Sequence, residues 1–144
     1  MKNNRSFLCA LFALLSSLVH ASEKRPPLSA DQKSFLTQYE AVRAGLAADD
    51  LAAAKKAAAS TAAPSAQGVE ATRKIAAADS LAAAREAFKS LSREAMALAA
   101  GQPGYFHAHC PMVPRNEGGW VQPARKISNP YFGKSMATCG SIEN

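Results

Sequence analysis

LAAAREAFKSLSREAMALAAG, residues 81–101, decides the architecture. Leu81, Ala84, Phe88, Leu91, Ala95 and Leu98 alternate spacings of three and four, which puts all six on one side of an α-helix as a seam facing other helices. Asp79 or Ser80 can accept a hydrogen bond from the first free backbone N–H groups and so cap the start. Gly101 supplies the left-handed stop, and Pro103 prevents the helix from resuming. A helix with so marked a seam requires partners, and they lie upstream.

Ser29 followed by Gln32 is a capping box, and Phe35, Tyr39, Val42 and Leu46 behind it recur at spacings of four, three and four. They predict a helix over 30–47. Asp49 and Asp50 cap a second helical run, LAAAKKAAAS, whose apolar face is nearly all alanine; it buries little alone but lets a neighbour approach closely. TAAPSAQG, residues 61–68, reads as a loop marked by Pro64 and Gly68. VEATRKIAAAD, residues 69–79, is a third helical run, either separate from the run at 81–98 or joined to it as one bent helix. The expected fold is therefore mainly α, a small antiparallel bundle of three to four helices spanning residues 29–101.

Beyond Gly101 the composition changes. Residues 102–144 hold five prolines, five glycines, the only tryptophan and two of the three tyrosines. GYFHAH and GGWVQ read as short strands, a candidate β-hairpin, while NEGG and NPYFG read as turns. So little regular structure needs a staple, from a metal, a disulfide or docking onto the bundle.

At the other end, Lys2 and Arg5 precede the apolar run SFLCALFALLSSLV, with Val19 and Ala21 at the positions a signal peptidase reads. The run is shorter than the roughly 20 residues that cross a bilayer. It predicts a cleaved signal peptide at 1–21, a polar leader at 22–28, a periplasmic product and no stable membrane anchor afterwards. No small-residue lipobox leads into Cys9. Cleavage leaves 123 of the 144 residues, with 15 Lys and Arg against 11 Asp and Glu. That modest positive charge is spread without blocks, which argues against nucleic acid or an anionic membrane as partner.

The processed chain keeps only Cys110, Cys139, His107 and His109 of its cysteines and histidines, all within its last 38 residues, with Met112 and Met136 among them. Thiolate and thioether sulfurs suit Cu(I) or Ag(I), and imidazole adds zinc and Cu(II). His107 and His109 at i and i+2 share one face of a strand. In an oxidising compartment Cys110 and Cys139 either pair with each other or hold a metal. A disulfide would close a loop of about 30 residues, for roughly 3 to 4 kcal/mol on the entropic account. Paired CxxC, CxxCH, GxSxG, HExxH, P-loop and dinucleotide fingerprints are all absent from the sequence. A Cys110 nucleophile beside His107 is the one enzymatic arrangement on offer, and no enzyme is expected.

Cys110-Pro111-Met112, Gly119-Trp120, Asn129-Pro130-Tyr131 with Gly133, and Met136 through Gly140 occur in that order, behind the helical segments LAADDLAAAKKAAA and AREAF. With these motifs the chain, over roughly residues 30–140, resembles a bacterial heavy-metal-associated domain of unknown function. That domain occurs alone as a small exported protein and as a terminal module of the periplasmic adaptor subunits of copper and silver efflux pumps. The His-x-His before Cys110 is not part of the pattern, so His107 and His109 rest on donor chemistry alone. The resemblance implies a periplasmic protein that binds Cu(I) or Ag(I), buffering metal or handing it over near efflux-pump components. In that expectation Cys110 and Cys139 are thiolate ligands and Met112 and Met136 are thioether ligands. His107 or His109 completes the shell, while Trp120 and Tyr131 pack the tail on the bundle. The alternative is a disulfide-stapled module without metal, whose aromatics near Asn129-Pro130-Tyr131 and Gly133 dock an envelope partner.

Overall fold

The structure, a computed structural model, describes residues 25–143; the expected signal segment lies outside the described residues. Four helices come first: α1 (Ala30–Ala47), α2 (Leu51–Ser60), α3 (Ala66–Ala77) and α4 (Leu81–Ala99). The tail then forms three short strands, β1 (Phe106–His109), β2 (Gly119–Gln122) and β3 (Ser141–Glu143), in one antiparallel sheet ordered β2-β1-β3. The protein is mainly α, a small helical bundle with a short β element packed on it. No helix among the described residues is long and apolar enough to cross a membrane.

Each helix begins where a side chain takes up its free N–H groups. Ser29 and Gln32 make the reciprocal capping box of α1. Asp50, Ser65 and Ser80 accept from the third residue of α2, α3 and α4. Two expectations are corrected here. Residues 66–68 belong to α3 and not to a loop, because Ser65 caps a turn earlier and Gly68 sits inside the helix. There it is needed for space, since a Cβ would meet the Ala63 methyl at 2.8 Å. The runs at 69–79 and 81–98 are two helices and not one bent helix, because α3 ends at Ala77 and Ser80 starts a new cap.

The seam of α4 is buried at Ala84, Phe88, Leu91 and Ala95; toward the C-terminus Ala99 is covered while Leu98 is only partly so. It meets Phe35, Leu36, Tyr39, Val42 and Leu46 of α1 in a single core. The alanine face of α2 lets α1 approach closely: a Cβ on Gly45 would lie 2.7 Å from the Ala54 nitrogen. A column of rings then carries the core into the tail. Phe35, Tyr39, Phe88, Tyr131 and Trp120 follow one another at centroid distances of 6.4, 5.3, 5.8 and 6.1 Å. Such pairs add about 0.5–1.5 kcal/mol each beyond the area they bury.

An exposed sheet edge is a liability, and β2 avoids it by docking its outer edge on α1 and α4. Tyr39 Oη accepts from the Val121 N–H at 3.3 Å and hydrogen-bonds Ser92 Oγ at 3.0 Å. Ser92 Oγ and Tyr131 Oη both donate to the Gly119 carbonyl, at 2.9 and 2.6 Å. Burial drives the hydroxyl pKa of Tyr39 and of Tyr131 well above the ordinary phenol value, so both remain neutral donors.

Candidate functional site

The long connection between β2 and β3 is held by buried and half-buried polar side chains. Asn129 is fully buried; its Oδ1 accepts from the N–H groups of Tyr131 at 2.8 Å and Phe132 at 3.2 Å, and its Nδ2 donates to the Cys139 carbonyl at 2.9 Å. Gln122 accepts from Trp120 Nε1 at 2.8 Å and donates to the Lys126 carbonyl at 2.8 Å. Arg85 of α4 donates to the carbonyls of Pro130 and Leu46, both at 2.9 Å, and pairs with Asp49, whose other oxygen accepts from the Lys134 N–H. The Arg85 guanidinium holds the Asp49 carboxyl below the usual carboxylate range. The NPYFG segment is thereby fixed to the bundle and, through Asn129, to Cys139. The chain can then turn at Gly140, whose φ of +129° favours glycine. A Cβ there would also meet Trp120 Cη2 at 2.8 Å.

This framework brings Cys110 and Cys139, 29 positions apart, to a sulfur–sulfur separation of 2.6 Å. No disulfide joins them at that separation; Cys110 is buried and Cys139 partly so. The contact with Cys110, with burial adding to it, holds the Cys139 thiol above its ordinary pKa, while the Met112 backbone N–H works in the opposite direction. Met112, whose backbone N–H meets Cys139, is 58% exposed. The Met136 carbonyl accepts from the Cys139 N–H at 3.0 Å, which places Met136 one turn before the thiol. Two thiolates sharing a metal at bonds of ~2.3 Å keep their sulfurs roughly 3.8 Å apart. The pair can therefore bond directly, or take a soft ion after separating by about an ångström. Paired cysteine sulfurs are donors of the softness that Cu(I) and Ag(I) prefer.

His107 and His109 do not join this cluster. They leave β1 on the face opposite Ala108, while Cys110, the next residue of the same alternation, continues the Ala108 face. Among the described residues no group of three or more His, Cys, Asp and Glu side chains is close enough to hold a metal ion. Both Nε2 atoms are nevertheless buried without a hydrogen-bond partner. A buried nitrogen left so costs roughly 1–3 kcal/mol.

Of the other residues singled out from the sequence, Trp120, Asn129, Pro130, Tyr131 and Gly133 are all buried, in the frame around the thiols. Arg85 and Gln122 were missed, because an arginine or glutamine that serves scattered carbonyls leaves no periodic signature. No family model, no curated protein and no solved structure matches the chain.

Proposed function

We propose that this chain is an exported protein of the periplasm that binds a soft heavy-metal ion, Cu(I) or Ag(I). Cys110 and Cys139 would be its principal ligands and the Met112 and Met136 thioethers its secondary ones. The observation that carries this is the convergence of Cys110 and Cys139, from the two ends of the tail, onto adjacent positions. Thiolate and thioether donors together select monovalent d¹⁰ ions over the hard cations. Zinc would be the weaker occupant, because it favours four imidazole, thiolate or carboxylate donors. The partly exposed Cys139 and exposed Met112 suit a site that receives and releases metal, as a buffer near an efflux system must.

A second reading is favoured by the same sulfur–sulfur distance. Oxidised to a disulfide, the pair would staple the tail, and the module would act through its surface. Metal analysis of the protein isolated from the periplasm, together with its thiol count, separates the two. Copper or silver in stoichiometric amount with both thiols reducible supports the metal protein. Metal-free protein with Cys110 and Cys139 quantitatively joined, and no uptake after reduction, supports the staple.

A further inference from the structure

The face of the sheet that His107 and His109 share carries a third possible donor. Gly119 pairs directly with His109 across β1 and β2, and paired residues of antiparallel strands project to the same face. A Cβ built on Gly119 would lie 2.9 Å from both Sδ and Cε of Met96. The Met96 thioether of α4 therefore occupies the place where a side chain opposite His109 would stand. His107 and His109 are two residues apart on the central strand, roughly 6.6 Å along it, and share that face. In each ring the tautomer with its proton on Nδ1 presents a free lone pair at Nε2.

We propose that His107, His109 and Met96 form a second metal site, between the sheet and α4, that takes one Cu(I). Two neutral imidazole nitrogens and one thioether are donors of the softness this ion prefers, and they contain no thiolate that oxidation could remove. Gly119 makes room for it, because any side chain there would displace Met96 from its place opposite His109. The site is separate from Cys110 and Cys139, which lie on the other face of the sheet. It does not depend on the thiol site, and it would remain competent when Cys110 and Cys139 are joined.

The test uses the full chain as the cell processes it, wild type and the thiol-free variant C9S/C110S/C139S, titrated anaerobically with Cu(I) against a chromogenic chelator. The thiol-free protein is expected to hold one equivalent. M96L, a volume-conserving change, and H109Q in that background are expected to weaken it by roughly tenfold or more, as for the loss of one bond in three. Long-range proton–nitrogen spectra should show Cu(I) shifting Nε2, and not Nδ1, of both rings. If the thiol-free variant does not fold, wild type with Cys110 and Cys139 oxidised serves in its place. Absence of Cu(I) binding by thiol-free or oxidised protein overturns the proposal and leaves the thiol site standing. Binding that neither M96L nor H109Q weakens, or that leaves both Nε2 signals unmoved, overturns it as well. Binding retained by the thiol-free protein at the wild-type stoichiometry supports it and removes the thiol site instead.

Discussion

Replacing Asn129 by Ala should unfold the tail before it unfolds the bundle. The side chain is fully buried and makes three hydrogen bonds: from Tyr131 N–H, from Phe132 N–H and to the Cys139 carbonyl. Each contributes about 1 kcal/mol net, and a buried partner left without one costs about 1–3 kcal/mol. Among the described residues the Tyr131 N–H and the Cys139 carbonyl make no other hydrogen bond. Asn129→Ala should therefore cost about 3–5 kcal/mol. For a domain of this size that lowers the melting temperature by roughly 10–15 °C. Because Nδ2 ties the turn to Cys139, the variant should also alkylate faster at Cys139 while α1 to α4 keep their circular dichroism. Urea unfolding and a timed reaction with a thiol reagent measure both effects. A loss below about 1 kcal/mol, with Cys139 no more reactive than in wild type, would refute the role given to Asn129.

Three further outcomes follow from the same geometry. Oxidising Cys110 and Cys139 should raise stability by about 3.6 kcal/mol, the loop-closure term for a 29-residue separation, read as the difference in urea midpoint with and without reductant; no difference would mean the reduced tail is already constrained. Metal affinity should rise with pH between about 6 and 8, because the neighbouring Cys110 holds the Cys139 thiol above its ordinary pKa and binding must displace its proton; a flat profile would place the metal elsewhere. Arg85→Lys should lower stability by about 1–2 kcal/mol at pH 7, since an ammonium cannot reach Pro130, Leu46 and Asp49 together. The Asp49 pKa is lowered in the folded state, so the stability it contributes is present above the ordinary carboxyl pKa and lost as pH falls through the lowered value; Arg85→Lys should therefore flatten the acid limb of the wild-type stability curve.

Helices α1 and α4 were legible because each carries both a cap and a period, and α2 because a cap precedes its alanine run. Ser29 with Gln32, Asp50 and Ser80 start α1, α2 and α4 where the sequence indicates. Gly68 misled because glycine usually punctuates, and only the packing around it shows that it makes room instead. β1 and β2 could be recognised from GYFHAH and GGWVQ, but β3 could not: Ser141–Glu143 is too short for a pattern and is a strand only because β1 offers it an open edge. The candidate site was legible as chemistry and not as geometry. Six donors were visible, yet strand alternation sends His107 and His109 to the face opposite Cys110, away from the thiol pair. Nothing in the sequence singled out Met96, and its position over Gly119, the residue paired with His109, follows from the docking of β2, which no local pattern encodes.

The most direct test of the thiol site is an anaerobic Cu(I) competition titration of the fully reduced protein beside Cys110→Ser/Cys139→Ser. Tight uptake by the wild type, weakened by several orders of magnitude in the double variant, is what a site built on Cys110 and Cys139 requires. Equal affinity in the two proteins would contradict it.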